Sequence, residues 1–206
     1  MGLAQPRSGG TESRREILRV AEEIFARKGY SGTSTREIAE GAGVTKGLLF
    51  YHFQTKEHLY LTVIESIVQA LHQIAAPPTN GVDRVAHIRN FIDGWTDLLA
   101  DHPHIPKLVI RELMDEGKFH KKIIDEYLKP LYDFGLQSLN EGIAEGTFRP
   151  LDPFTFIMTL MASNSMYFIT PALHERFLGQ DPLSPDVLAR RKEELAMCFI
   201  RMAQKD

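Results

Sequence analysis

The sequence contains little that suits a membrane protein or a secreted, disulfide-linked scaffold. Its 206 residues include one cysteine, Cys198, so an internal disulfide is impossible and a reducing compartment is favoured. No apolar run reaches the length of about 18 residues that a membrane span needs. The N-terminus MGLAQPRSGGTESRR lacks the apolar segment of a secretory signal. We therefore expect a cytoplasmic protein without a membrane partner. The apolar surroundings of Cys198, in LAMCFIRM, favour a packed core position.

Signatures of catalysis are also missing. The sequence has no G-x-S-x-G elbow, no phosphate-binding loop of the Walker type and no dinucleotide fingerprint. His102 and His104 flank Pro103, but no cysteine or further histidine completes a metal site at ligand spacing. We expect no enzymatic activity, no cofactor and no metal. A small helical enzyme that uses a pocket among the later helices is retained as an alternative.

Charge is distributed unevenly along the chain. The formal net charge is −3, which argues against a generic nucleic-acid coat. Residues 1–60 carry nine Lys and Arg against seven Asp and Glu, whereas residues 61–206 carry 15 against 20. If DNA is the partner, the N-terminal segment is the part that should face it.

Apolar residues recur with a helical period throughout the chain, and no segment has the period of a strand. The hydrophobic content of 43% and charged content of 25% are ordinary for a globular protein. We predict an all-α fold of about nine helices. Residues 1–10 are expected to form a disordered arm, residues 11–55 a first domain of three helices, and residues 56–206 a second helical domain.

Capping and breaking residues predict the ends of these helices. Gly29 is expected to end the first helix in a left-handed conformation. Thr35 and Thr45 are expected to cap two short helices, the second running to about Phe53, before a long helix that begins near Lys56. Pro77 and Pro78 are expected to end that long helix, and Pro130 is expected to kink a later one. Pro103 is expected near the start of a helix. Asp152 and Ser184 are expected to cap two further helices, with Pro153 and Pro185 at their first helical positions.

The stretch EIAEGAGVTKGLLFYHF, residues 37–53, is the most informative. On its second short helix Leu49 and Phe53 are four residues apart and point inward, which leaves Gly47, Leu48 and Tyr51 on the opposite face. Small residues there permit close approach to a DNA groove, and an apolar side chain can contact a thymine methyl. The spacing therefore indicates a helix-turn-helix. The alternative is a compact helical hairpin that contacts only protein.

A longer pattern covers about residues 14–60. It comprises A…F…GY…T followed by IA..AGV.KG.L…F..K..L, in order and without gaps. This segment resembles the DNA-binding region of the TetR family of transcriptional regulators. The resemblance implies a homodimeric, mostly repressing regulator whose first helices bind DNA and whose remaining helices hold a small-molecule pocket and the dimer interface.

The resemblance also implies roles for particular residues. Thr35, Arg36 and Lys56 match phosphate contacts, and Thr45 to Leu48 match the start of the recognition helix. Phe50 stands where the family usually has tyrosine, so one hydroxyl donor to phosphate is lost. The complete set of predicted DNA-binding residues is Thr35, Arg36, Thr45, Lys46, Gly47, Leu48, Phe50, Tyr51, His52 and Lys56.

The second domain is expected to pair with another copy and to bind a ligand. The last two predicted helices are suited to pairing with the same helices of a second copy. The first of them mixes large apolar residues with the small residues Ala162, Ser163 and Ser165, and the second contains the apolar run LAMCFIRM. Packing inside one subunit is the alternative. Adaptable apolar and aromatic residues in the middle helices suit a ligand site. The predicted ligand-binding residues are Phe91, Trp95, Leu98, Arg111, Met114, Tyr127, Asn164 and Tyr167. A wider set of adaptable or orienting residues comprises His87, Phe119, Tyr132, Phe134, Met158, Met161 and Met166.

The expectation is thus a ligand-responsive repressor that binds a near-palindromic operator as a homodimer and is released by a small apolar or amphipathic effector. Besides this regulator and the small helical enzyme mentioned above, a third possibility is a DNA-binding dimer without an effector, whose second domain is purely structural.

Overall fold

Helices dominate the architecture. The computed structural model describes residues 9–76 and 83–205, and these contain no β-structure beyond an isolated bridge between Phe148 and Gln204. The helices are α1 (Gly9–Gly32), α2 (Thr35–Gly41), α3 (Lys46–Phe53), α4 (Lys56–Ala75), α5 (Arg84–Asp101), α6 (Ile105–Met114), α7 (His120–Lys122), α8 (Lys129–Ala144), α9 (Pro153–Ile169), α10 (Pro171–Leu178) and α11 (Pro185–Ala203). The predicted all-α fold is confirmed.

The first three helices form near their predicted positions, with two corrections. Gly29 does not end α1, which continues to Gly32; it interrupts the helix at φ 72° and ψ 173°, a conformation that glycine adopts without a steric penalty but that is not the left-handed helical one. The cap of α2 is Ser34 and not Thr35, because the Ser34 side chain accepts a hydrogen bond from the Glu37 N–H. Thr45 caps α3 as predicted, accepting from the Leu48 N–H at 3.2 Å.

The N-terminus of the chain and the α4–α5 connection are only partly described. Residues 9–10, expected to belong to the arm, are the first residues of α1. Residues 1–8 of the arm lie outside the described residues, as do Pro77 and Pro78 after α4.

A π-helical turn, Ile123–Leu128, joins α7 to α8 without a break. Pro130, at the start of α8, has no N–H to donate to the preceding turn, and its ring crowds that turn. Widening the helix just before the proline relieves this crowding, as the Lys129 N–H to Ile124 carbonyl hydrogen bond shows. The structure shows a π-helical segment directly before Pro130, whereas the kink expected there stays a prediction.

Two apolar cores hold the fold together. The first includes Ile17, Phe25, Leu49 and Phe53 from the N-terminal helices, and it continues without interruption into Leu108 of α6. The second lies among α4, α5, α8, α9 and α11 and is centred on residues such as Ile92 and Phe199. We call α1–α4 the head and α5–α11 the body. Because α6 shares the core of the head, the two parts are packed together.

Two features of the body differ from expectation. The helix α10 was not predicted, and its Leu173, Phe177 and Leu178 are exposed. Cys198 is exposed on α11, so its predicted core position is wrong. Its apolar neighbours in sequence, Phe199 and Ile200, take the buried face of the helix instead.

Within residues 9–76 and 83–205, no single helix is both long and apolar enough to cross a bilayer. The pair α9 and α10 passes the length and composition test only together, and it is bent by 71°.

Candidate DNA-binding interface and ligand cavity

Helix α3 has one buried face and one accessible face. Leu49 and Phe53 are completely buried, whereas the Tyr51 side chain is 78% exposed. Gly47 is exposed and Leu48 is half-buried. The eight-residue helix is thus fixed by two anchors, and its outer side is free to enter a groove.

The preceding helix and turn brace α3. Ile38 and Ala39 of α2 are buried in the core of the head, and Gly43 makes the turn at φ 63°. The Val44 N–H donates to the Ala39 carbonyl at 2.9 Å, which fixes the angle between the two helices. A Cβ on Gly41 would lie 2.8 Å from a Val20 methyl, so this glycine permits the close approach of α1 and α2.

The predicted polar contacts surround α3. Thr45 and Lys46 are exposed, and the Lys46 ammonium lies 5.6 Å from the centre of the half-buried Phe50 ring. Arg36 is exposed and pairs with Glu40 at 2.7 Å. Thr35 and His52 are half-buried, and the His52 ring lies 5.3 Å from that of Tyr51.

Lys56 opens α4 directly after Thr55, whose side chain caps that helix. The Lys56 ammonium lies 4.3 Å from the centre of the Tyr30 ring, a favourable cation–π distance. Burial lowers the pKa of this ammonium group. Lys56 is therefore held in place by the head and does not extend freely into solvent.

Exposed Arg14 also lies beside α3, although its position in the sequence gave no reason to expect this. Its guanidinium lies 5.3 Å from the centre of the Phe53 ring, at the end of α3. The two residues are far apart in sequence, so periodicity gives no sign of their contact.

An apolar cavity of about 70 Å³ lies in the body. It lies between α5, α8 and α9 and is partly open to solvent, and Ala75 at the end of α4 also lines it. The remaining lining residues are His87, Ile88, Phe91, Leu131, Tyr132, Phe134, Gly135, Ser138, Leu139, Phe156, Ile157, Leu160 and Met161. None of them is Lys, Arg, Asp or Glu. Burial, with the nearby Arg84 charge, lowers the pKa of His87, so its neutral form is favoured.

The eight predicted ligand-binding residues do not line one common cavity in the structure. Only Phe91 lines the apolar cavity, together with His87, Tyr132, Phe134 and Met161 from the wider predicted set. Trp95 is buried in the body core, where its ring lies 5.7 Å from that of Phe91.

The remaining six lie elsewhere. Asn164 is buried against Thr96, and the Tyr167 hydroxyl donates to the Pro182 carbonyl. The Tyr127 hydroxyl donates to Glu65, and Arg111 donates to the Arg27 carbonyl. Met114 is 78% exposed. Leu98 lines a separate cleft of about 610 Å³ between head and body, which has a charged rim.

Comparison with protein families gives the chain its class. Residues 17–63 match the family described as bacterial regulatory proteins, tetR family. Residues 85–198 match the tetracyclin repressor-like C-terminal domain, so the second match alone covers more than half of the chain. The chain belongs to the TetR family. Its class is therefore a DNA-binding transcriptional regulator, as the sequence predicted.

Individual TetR-family proteins support this assignment. The transcriptional regulator RutR of Escherichia coli strain K12 is 28% identical over 161 residues, which cover 75% of this chain and 73% of RutR. The transcriptional repressor KstR2 of Mycobacterium tuberculosis H37Rv is 28% identical over 152 residues, covering 69% and 73%. The solved structure of the ketosteroid transcriptional regulator KstR2 of Mycobacterium tuberculosis superposes with a TM-score of 0.72. The superposition covers 94% of this chain and 95% of the KstR2 chain at 19% identity, which shows a shared fold.

Proposed function

We propose that this protein acts in the cytoplasm as a homodimeric repressor. Each subunit places residues 45–52 in a major groove of a near-palindromic operator. The accessible outer face of α3 carries the proposal, because Leu49 and Phe53 anchor the helix while Tyr51 is left exposed. A two-fold dimer would hold the two copies of α3 about one DNA turn apart, roughly 34–36 Å, or a multiple of this. The related KstR2 is named as a repressor, which favours repression over activation.

Exposed apolar side chains on α9 and α11 support the dimer. Phe154, Met158 and Met166 of α9 are 54%, 44% and 57% exposed, and Ala162 between them is exposed and small. On α11, Met202 and Cys198 are also exposed. Two such helices from each subunit would bury these faces in a four-helix interface.

Cys198 provides a direct test of this pairing. We expect its thiol to react slowly with a maleimide at protein concentrations where the chain is dimeric, and faster on dilution into monomer. Rapid labelling of a species that sedimentation shows to be dimeric would exclude α11 near Cys198 from the interface.

The cavity in the body supports an effector that is uncharged and largely apolar. Its side-chain polar groups are those of His87, Tyr132 and Ser138, which can orient one or two polar atoms of a ligand. A cavity that holds benzene measures about 150 Å³. An effector as large as a benzene ring would therefore have to widen the present cavity of about 70 Å³ and displace the helices around it.

Helix α4 connects this cavity to the DNA-binding surface. Ala75 at its end lines the cavity, and Lys56 at its start belongs to the DNA-binding surface. At 1.5 Å per residue the helix is about 30 Å long. An effector that binds better to the widened state would shift the dimer toward an arrangement with incorrectly spaced heads.

One experiment tests these parts together. The purified protein is mixed with fragmented genomic DNA, and the retained fragments are sequenced, with and without small-molecule extract of cells. We expect enrichment of a near-palindromic sequence that the extract reduces. Enrichment that no extract changes would favour a DNA-binding dimer without an effector. No enrichment, combined with turnover of a metabolite, would favour the helical enzyme.

A further inference from the structure

A short loop of the body contacts the head beside the DNA-binding surface. This loop, residues 117–119, follows α6 and lies against the first turn of α4. Lys118 forms an ion pair with Glu57, the residue that follows Lys56. Phe119 is buried, and its ring centre lies 4.9 Å from that of Tyr30, in an edge-on arrangement.

The loop is firmly attached to both α6 and α4. Buried Glu112 of α6 accepts hydrogen bonds from the Phe119 N–H at 2.6 Å and from the Tyr60 hydroxyl at 2.9 Å. A Cβ on Gly117 would lie 2.3 Å from the same carboxylate, so a larger residue at this position would displace the Glu112 carboxylate from these hydrogen bonds. Tyr60 also lies 4.9 Å from Phe119 and 5.2 Å from Tyr30, measured between ring centres.

The contacts continue to Lys56, the predicted phosphate contact. Phe119 packs edge-on with Tyr30, and the Lys56 ammonium lies 4.3 Å from the centre of the Tyr30 ring. A residue of the body thus supports the aromatic ring that holds Lys56. Since a buried apolar core tolerates little displacement, movement of Phe119 would displace Tyr30.

Glu57 presents an electrostatic problem for DNA binding. Its carboxylate is partly exposed one residue from Lys56, and an unpaired negative charge at that place would repel a phosphate. Lys118 supplies the opposite charge from the body. Withdrawal of the loop would therefore leave Glu57 unpaired and remove Phe119 from the Tyr30 ring over which Lys56 lies.

We propose that residues 117–119 of the body complete the DNA-binding surface, with Lys118 neutralising Glu57 and Phe119 supporting Tyr30 beneath Lys56. Lys118, Phe119 and Tyr30 are positioning residues. The inference rests on the proposed function, because it requires the start of α4 to face DNA. It makes α6 and its loop a direct route by which a change in the body alters DNA affinity.

The test of Lys118 uses full-length variants and a short duplex of random sequence at low salt, with binding measured by fluorescence anisotropy. We expect Lys118→Ala to weaken binding about threefold to fivefold. In a Glu57→Gln background the same substitution should have a much smaller effect, because no carboxylate is left to neutralise and only the contact of the Lys118 ammonium with the Tyr30 ring, at 5.9 Å from its centre, is lost. Lys121→Ala is the matched control, since it removes an equal charge from an exposed lysine three residues away, and it should change affinity less.

Two outcomes would overturn the role of Lys118. An equal loss in the Glu57→Gln background would mean that Lys118 contacts DNA itself, and no loss in either background would mean that the ion pair is irrelevant to binding.

The role of the aromatic support is tested at Tyr30. Lys56→Ala should weaken binding strongly in the wild type and much less in a Tyr30→Leu variant. Tyr30→Phe retains the ring and should behave like the wild type. Circular dichroism would show whether each variant is folded. A Lys56→Ala effect of the same size in all three backgrounds would remove Tyr30 and Phe119 from the proposal.

Failure of the inference can be told apart from failure of the proposed function. If Lys56→Ala leaves DNA affinity unchanged, the start of α4 does not face DNA and the proposed binding surface is wrong. If Lys56→Ala weakens binding while the Lys118 and Tyr30 variants do not, only the inference fails.

Discussion

The Nδ1 atom of His102 lies 2.8 Å from a carboxylate oxygen of Glu22, so the end of α5 in the body is joined to α1 in the head. Glu22 is buried, whereas the His102 side chain is 39% exposed. The hydrogen bond to Glu22 raises the pKa of His102 above its usual value, with smaller contributions from the charges of Glu22 and Asp101, while burial opposes the shift.

This pair predicts a pH-dependent stability. Because the pKa of His102 is higher in the folded chain than in the unfolded chain, its contribution is complete below about pH 6.5 and is lost as pH rises through the folded pKa. The partial exposure of His102 limits the effect to about 1 kcal/mol or less. The melting temperature is measured as a function of pH, and above pH 6.5 it should fall less steeply for the His102→Gln variant than for the wild type. His104→Gln, at a neighbouring histidine, serves as control, and identical profiles for wild type and His102→Gln would contradict the prediction.

Lys56→Ala should weaken binding to all DNA sequences alike. A lysine that neutralises one phosphate contributes about 0.9 to the slope of log affinity against log salt concentration. We expect the magnitude of that slope to fall by roughly this amount in binding titrations at several salt concentrations. An unchanged slope would show that Lys56 does not contact phosphate.

Leu48→Ala should change which bases are preferred more than it changes overall affinity. Leu48 is half-buried on the outer side of α3, where its methyl groups can reach a thymine methyl. Loss of that contact should relax selection at one position of each half-site by about 1 kcal/mol, the free energy of burying about one methyl group. The measurement is selection from a randomised duplex library, and Leu173→Ala on exposed α10 is the matched control. Unaltered preference at every position would exclude Leu48 from direct readout.

Phe50→Tyr should strengthen DNA binding. Phe50 is half-buried beside Lys46, and the added hydroxyl would restore a phosphate donor that the TetR resemblance implies for this position. A gain of about fivefold is expected from one added hydrogen bond. Equal or weaker affinity in an anisotropy titration would mean that the ring edge does not face the backbone of the duplex.

Asn164→Ala should destabilise the body. Asn164 and Thr96 are both completely buried, and the Asn164 amide donates to the Thr96 hydroxyl at 3.2 Å. Removing the amide leaves the hydroxyl unsatisfied and creates a small cavity, at a cost of about 2 kcal/mol or more. Urea denaturation measures this loss. Thr159→Ala, at an exposed position of the same helix, should change stability by less than about 0.5 kcal/mol.

The helices of the head follow closely from local sequence. Thr45 is a good cap, Leu49 and Phe53 share one face, and Lys56 begins α4 where predicted. Each of these features depends on residues within one or two helical turns, so the local amino-acid sequence is sufficient to predict it. The same holds for Asp152, which caps α9 by accepting from the Thr155 N–H.

The ligand cavity and the head–body contacts do not follow in this way. Trp95 packs into the core of the body, whereas Phe91 lines the cavity, and nothing in the sequence around them distinguishes the two. Cys198 has apolar neighbours yet lies on the exposed side of α11, because helix rotation and not local composition decides burial.

Local sequence is thus enough to predict the helical class, the family and the anchored helix α3. Which side chains converge depends on the packing of distant helices, as His102 with Glu22 and Phe119 with Tyr30 illustrate. The difference lies in the range of the interactions. Helix periodicity and capping act over a few residues, whereas a cavity or a contact between domains depends on how helices pack that lie many residues apart.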